Sequence, residues 1–273
     1  MSSPPEKLNV PLQSLAVFLD VDGTLLEIAP TPDTVYVGPR LRALLESLHL
    51  STSGAVALVS GRTIANLDEL FAPMAPLPAA GLHGFERRTA TGARVHCAPP
   101  DAEILELARS DLHSIAARYP GTLVEDKQVA LAMHYRLAQE SATEILSHME
   151  LLAVRVHPHL HLQPGKMVAE LRPARATKGE AIREFLREPP FSDRLPIFIG
   201  DDLTDETAFE AVNSVGGVSI AVNVQRPTAA RFFLPSVSAV HDWLESLPAG
   251  LSTTAGALSA ELQETTQLVP PSF

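Results

Sequence analysis

Two acidic clusters, far apart in the chain, hold the residues best suited to chemistry. The first is Asp20-Val21-Asp22-Gly23-Thr24-Leu25, and the second is Gly200-Asp201-Asp202-Leu203-Thr204-Asp205-Glu206. A turn that begins at Asp20 and is eased by Gly23 can direct both carboxylates of the first cluster toward one site. Such a pair suits a phosphoryl transfer split in two: one carboxylate attacks phosphorus, and the other protonates the leaving oxygen and then deprotonates a water. The simpler reading, a strand end followed by an Asp-Gly turn, asks nothing of the carboxylates. Enzymes accelerate phosphate-monoester hydrolysis by up to about 10²¹-fold, largely through positioning and charge neutralisation. Cations are therefore to be sought nearby.

The second cluster gives a reason for one. Its carboxylates repel each other unless a cation is bound, and hard oxygen donors of this kind select Mg²⁺. Thr204 capping a helix, with Asp205 and Glu206 in its first turn, accounts for those three residues but not for Asp201 and Asp202. Asp201 is the foremost candidate ligand, with Asp202 and Asp205 behind it. Ser60-Gly61-Arg62 offers a hydroxyl and backbone N–H groups to a phosphate, although Ser60 is equally suited to cap a helix over residues 63–71. Lys178-Gly179 opens a helix expected over residues 180–188. A lysine there opposes the helix dipole, and pairing with phosphate and Asp20 would account for it.

These residues need elements to bring them together. Leu15–Leu19, Ala55–Val59 and Leu195–Ile199 are short apolar runs that stop at Asp20, at Ser60-Gly61 and at Gly200-Asp201. Such runs suit central parallel strands buried on both faces. Helix-period apolar residues lie between them: Leu41, Leu44, Leu45 and Leu48; Ile64, Leu67, Leu70 and Phe71; Ile182, Phe185 and Leu186. The alternation predicts a doubly wound α/β sheet, with ligands bound beyond the carboxyl ends of the strands. Asp20, Ser60 and Asp201 all stand there.

Residues 101–172 read differently, as an inserted α+β block. Helices are expected around Ile104–Ile115 and Ile145–Leu152, with strand-like pieces at Leu123–Lys127, Leu131–Arg136, Val154–Leu162 and Lys166–Arg172. The expected division is a discontinuous core, residues 12–100 with 173–248, a cap of residues 101–172, and a flexible tail of residues 249–273 carrying at most a short helix around Leu258–Leu262. His157, His159 and His161 alternate and would share a face in a strand, but with Pro158 among them and no acidic or cysteine partner nearby they read as a solvated face.

Composition narrows the class. The chain has 273 residues, 45% of them hydrophobic, and a formal net charge of −11, which suits a buried core and opposes binding to nucleic acid or an anionic membrane. Cys97 is the sole cysteine, so no internal disulfide forms, as in a reducing cytoplasm. The first ten residues lack a signal-peptide core and no apolar run approaches a membrane span; a cytoplasmic protein is the expectation. Oligomeric state is left open, with a monomer favoured.

The ordered motifs resemble the haloacid dehalogenase superfamily, for which Asp-x-Asp-Gly-Thr is the strongest signature. The resemblance implies a Rossmann-like core with an inserted α+β cap, Asp20 as nucleophile, Asp22 as acid/base, and Mg²⁺ held by the Asp20 carboxylate, the Asp22 carbonyl and Asp201. It further implies phosphate bound around Asp20, Val21, Asp22, Thr24, Ser60, Gly61 and Arg62, with Lys178 stabilising its charge. Further strings narrow it: Gly81-Leu82-His83-Gly84-Phe85-Glu86, Val124-Glu125-Asp126-Lys127, His134-Tyr135-Arg136 and Pro164 through Pro173. With the second acidic cluster they closely resemble the trehalose-6-phosphate phosphatases, from about Leu15 to Trp243. That family hydrolyses trehalose 6-phosphate to trehalose and phosphate in trehalose biosynthesis, and it places sugar-binding residues at Glu125, Lys127 and Glu170; His83, Gly84 and Arg136 are further candidates. Independently, Glu125 and Lys127 fall on one strand face, as do Lys166, Glu170 and Arg172, with Met167 and Leu171 opposite. Carboxylates and ammonium groups suit sugar hydroxyls. The rivals are another sugar phosphatase, a phosphomutase that returns phosphate to its product, and a non-catalytic sugar-phosphate-binding regulator.

Overall fold

The computed structural model describes residues 2, 8, 10–28, 35–97, 99–126, 129–165, 167–174 and 176–247. The chain packs as two compact units, one running to Val95 and resuming at Lys178, the other spanning His96–Thr177.

The first unit is built on β1 (Leu15–Leu19), in which every residue is buried. The pleat sends alternate side chains to opposite faces. Leu15, Val17 and Leu19 enter one apolar cluster, and Ala16 and Phe18 enter the other. The sequence of β1 is therefore apolar without alternation, as two-sided burial requires. Phe18 meets the rings of Phe185 and Phe191 with centroids 5.8 and 5.3 Å away.

Helix α1 (Pro39–Ser51) follows, with proline in its first turn and Leu41, Leu44, Leu45 and Leu48 buried on one stripe. Strand β2 (Val56–Val59), α2 (Ile64–Phe71), β3 (Ala79–Gly81), β4 (Glu86–Arg88) and β5 (Arg94–His96) extend the sheet on one side. On the other side of β1 lie three strands formed later in the chain. The eight strands run 12-11-10-1-2-3-4-5, with β10 (Leu195–Gly200), β11 (Val218–Val222) and β12 (Phe232–Leu234) parallel to β1, as are β2 and β3, while β4 is antiparallel to β3. The strand order reverses between β1 and β10, and the crevice at such a reversal is where doubly wound sheets bind ligands. Helices α5 (Lys178–Phe185) and α6 (Glu206–Ser214) line one sheet face, and a helix over residues 237–247 packs Val240, Trp243 and Leu244 into the cluster on the other. Phe232 and Trp243 thus serve packing.

The second unit folds α3 (Ala102–Arg118) and α4 (Ala142–Val156) against one face of a four-stranded antiparallel sheet ordered β6 (Leu123–Asp126), β7 (Leu131–His134), β9 (Val168–Pro173), β8 (Leu160–Gly165). The expected strand over residues 154–162 is corrected: α4 continues through Val156, and β8 begins only at Leu160. Val156 is buried in register with Ile145, Met149 and Leu152, so one more helical turn completes that stripe. His157 and His159 therefore share no strand with His161. The segment around Leu258–Leu262, and the tail as a whole, lie outside the described residues. Among the described residues, no helix is long and apolar enough to cross a membrane.

Candidate active site

Asp20 is the first residue past β1, and its N–H donates to Ile199 O of β10 at 3.0 Å, so it still obeys the sheet register. Its side chain is buried against Lys178, the first residue of α5, whose Nζ donates to Asp20 Oδ1 at 2.7 Å and to Asp205 Oδ1 at 2.6 Å. The other oxygen of Asp205 accepts the N–H groups of Asp201 and Asp202, each at 2.9 Å. Asp205 thereby ties the lysine to the loop leaving β10. Asp201 is half-buried and accepts a hydrogen bond from Thr24 Oγ1 at 3.2 Å. Gly23 lets the two loops meet: its φ is +86°, and a Cβ there would lie 2.1 Å from Asp201 Oδ2.

Three carboxylates and one ammonium in a buried space leave excess negative charge. Burial pushes Asp20 up to about 7, with Lys178 pulling it down and Asp201 adding to the rise. Burial likewise raises Asp205 to about 7, opposed by Lys178, and Asp201 to about 6, with Asp205 adding to it. Burial would lower Lys178, but Asp20 and Asp205 outweigh it and hold the ammonium charged. Carboxylate oxygens of Asp20, Asp201 and Asp205 lie within 4.8 Å of one another, the sole acidic, histidine or cysteine cluster of this kind among the described residues. The donor set, all hard oxygens with a surplus of negative charge, fits a small divalent cation.

Asp22 turns elsewhere. Its two carboxylate oxygens accept from Arg62 Nε and Nη2, both at 2.7 Å. The Ser60-Gly61-Arg62 loop is fastened by the next turn of chain: Leu82 N–H donates to Arg62 O and His83 N–H to Ser60 O, each at 2.9 Å. Leu82 and His83 hold left-handed backbones, φ 48° and 55°, at about 1–3 kcal/mol each. That bend lays the His83 ring where a Cβ on Gly61 would sit 2.7 Å from it. Asp20, Asp22, Ser60, Gly61, Arg62, Asn66, His83, Lys178, Asp202 and Thr204 line a cleft of about 450 Å³ together with Ile28 and Val35.

Several expected placements change. The cap of α2 is Thr63, which accepts Asn66 N–H at 3.1 Å, and not Ser60, which is buried facing the cleft. Arg62, expected on phosphate, has its guanidinium on Asp22. Thr24 is fully buried with its hydroxyl on Asp201 and does not line the cleft. The residue that caps the turn after β10 is Asp202, in a reciprocal capping box with Asp205, and not Thr204. Val21 is buried, its carbonyl accepting the N–H groups of Leu25 and Leu26 at 2.9 Å each. Two supporting residues escaped the sequence reading. Asn66 accepts from Arg62 Nη1 at 2.8 Å, and Glu86 Oε1 accepts Ile64 N–H at 2.7 Å. The four-residue spacing of Arg62 and Asn66 was a readable signal; Glu86 meets α2 only through the fold.

In the second unit, strand register sets Glu125 opposite Ala132, Ala132 opposite Glu170, and Glu170 opposite Gln163. Glu125, Glu170 and Gln163 thus form a row on one face, joined diagonally by His134, whose Nε2 is 2.8 Å from Glu125 Oε2. Arg172, on the same face, is buried, with Gln163 Oε1 3.4 Å from its Nη2. Arg136 sits in the turn after β7 and is exposed. Lys127 and Lys166 lie outside the described residues.

Residues 18–238 match the trehalose-phosphatase family. The chain belongs to that family. It is 46% identical over 241 residues to a probable trehalose-phosphate phosphatase of Sinorhizobium fredii, covering 88% of this chain and 90% of the relative. It is 40% identical over 236 residues to the trehalose-6-phosphate phosphatase of Escherichia coli, covering 86% and 87%. The solved trehalose-6-phosphate phosphatase of Aspergillus fumigatus superposes with a TM-score of 0.67 at 25% identity, over 85% of this chain and 92% of that one. The architecture is that of the haloacid dehalogenase phosphatases, a doubly wound core with an inserted α+β unit.

Proposed function

We propose that this trehalose-phosphatase family member hydrolyses trehalose 6-phosphate to trehalose and inorganic phosphate through an aspartyl-phosphate on Asp20. The observation that carries the reading is the buried Asp20–Lys178–Asp205 chain with Asp201 beside it, opening on a cleft at the strand-order reversal. An Asp20 oxygen attacks phosphorus as the bond to the sugar oxygen breaks, and Asp22 gives that oxygen a proton. Asp22 then takes a proton from the water that attacks the aspartyl-phosphate, releasing phosphate and restoring Asp20. Lys178 keeps the nucleophile oriented and its own charge near the transferring group. Ser60 and the Gly61 backbone face the cleft as phosphate donors.

Mg²⁺ would be held by the Asp20 carboxylate, the Asp22 carbonyl and Asp201, where it would neutralise charge on the phosphoryl oxygens. Asp205 and Asp202 stand behind these as ligands, since their oxygens also serve Lys178, the capping box and backbone N–H groups. Sugar hydroxyls are assigned to the polar face of the second unit's sheet, chiefly Glu125 and Glu170, with Lys127, Arg136, His83 and Gly84 as further contacts. The protein is read as a cytoplasmic enzyme whose small-molecule partner is the sugar phosphate. The test is phosphate release from trehalose 6-phosphate beside glucose 6-phosphate and sucrose 6-phosphate, with and without Mg²⁺. Equal rates on all three would overturn the substrate assignment, and phosphate retained on an isomerised sugar would point to a mutase.

A further inference from the structure

We infer that Arg62 is a positioning residue for Asp22 and not a phosphate ligand, so that it acts on departure of the sugar oxygen and not on binding of the phosphoryl group. The inference rests on the phosphatase reading and adds a role within that site. Its ground is that each of the three guanidinium nitrogens donates to a side chain of the protein itself. Nε and Nη2 take the two oxygens of Asp22 at 2.7 Å each, and Nη1 takes Asn66 Oδ1 at 2.8 Å. A bidentate arginine–carboxylate pair fixes the plane of the carboxylate as well as its distance, which a single-point cation cannot do.

Both ends of this contact are built in advance. Arg62 N–H donates to Ser60 Oγ at 3.2 Å, and Arg62 O accepts Leu82 N–H at 2.9 Å, so its backbone is clamped on two sides. The Arg62 side chain is 11% exposed against 38% for Asp22, so the arginine is the fixed partner and the carboxylate the one nearer solvent in the cleft. Asp22 is itself set in a tight turn: it bridges Leu26, and Gly23 N–H donates to Leu26 O at 2.7 Å. The Nε–Nη2 edge, which could hold a phosphate by two parallel bonds, is the edge that Asp22 occupies. The phosphate's own donors, Lys178 and the Ser60-Gly61 turn, stand in the same cleft without it.

The two roles separate by leaving group. A sugar oxygen leaves poorly unless protonated, whereas p-nitrophenolate departs as the anion and needs little help from Asp22. Arg62→Ala is expected to lower kcat/KM for trehalose 6-phosphate by about 10²-fold, and for p-nitrophenyl phosphate by no more than about a tenth of that factor. The Ki of inorganic phosphate should stay within about twofold of wild type, because uniform phosphate binding is untouched. Arg62→Lys should recover only part of the loss, and Arg62→Ala on an Asp22→Asn background should cost almost nothing further. Asn66→Ala, which leaves the pair with Asp22 intact, supplies a milder variant whose smaller loss should carry the same substrate bias. Equal loss on both substrates with a raised Ki for phosphate, or full additivity with Asp22→Asn, would overturn the positioning role while leaving the phosphatase reading standing. Wild-type protein inert on both substrates would instead remove the phosphatase reading.

Discussion

The two units handle charge in opposite ways. At the carboxyl ends of β1 and β10, Asp20, Lys178 and Asp205 are 4%, 2% and 0% exposed and bonded to one another or to backbone N–H groups. On the antiparallel sheet of the second unit, Glu125 is exposed, Glu170 is partly exposed, and Glu125 meets His134 on the neighbouring strand. Bond-making needs a preset field in a place of low dielectric, where each charge acts strongly and misplacement is costly. Recognition of a polyhydroxylated sugar needs a polar face that can exchange water for hydroxyls, and such a face is cheap to alter. Catalysis and selectivity should therefore break separately.

The largest effect belongs to the nucleophile. Asp20→Asn should lower phosphate release from trehalose 6-phosphate by about 10⁴- to 10⁶-fold yet leave the thermal midpoint close to wild type, since it removes one of three crowded carboxylates. A collapse of the fold would show that the Asp20–Lys178 pair is chiefly structural. Next comes Lys178→Met, which strands Asp20 and Asp205 without their cation. It should cost about 3–5 kcal/mol in denaturant unfolding along with most of the turnover; a fully stable variant would mean that the carboxylates are neutral in the folded protein. Glu125→Ala, in the other unit, should lower kcat/KM for trehalose 6-phosphate about tenfold, spare p-nitrophenyl phosphate, and change stability by less than about 0.5 kcal/mol. Parallel losses on both substrates would erase the contrast between the units.

The smallest effect is the most specific to the buried cluster. Asp20, Asp201 and Asp205 are raised by burial to about 7, 6 and 7. A raised folded-state carboxylate contributes stability that is full below its unfolded pKa and is lost as pH rises through the folded value. Metal-free protein should therefore lose this contribution between pH 4 and 7, and the proposed Mg²⁺, which needs the carboxylates ionised, should raise the thermal midpoint by a larger increment at pH 7.5 than at pH 5.5. Calorimetry with and without Mg²⁺ at the two pH values reads the difference. Identical increments would mean that protons and metal do not compete there.

Local sequence alone determined the parts that depend on nearest neighbours. The unalternating run Leu15–Leu19 suits a strand covered on both faces, and α1 shows its stripe of leucines openly, because burial and periodicity are properties of a few consecutive residues. The motif residues at Asp20, Ser60 and Asp201 were legible for the same reason, each ending an apolar run. What the sequence left open was the partner of each charge. Arg62 reads as a phosphate ligand until its guanidinium is seen on Asp22, and Asp205 reads as a helix-cap acid until its oxygens are seen on Lys178 and the 201–202 backbone. Only the tertiary structure decides such pairings, because they join distant segments, Lys178 and Asp20 being 158 residues apart, and turn on side-chain direction, which strand packing sets and composition does not.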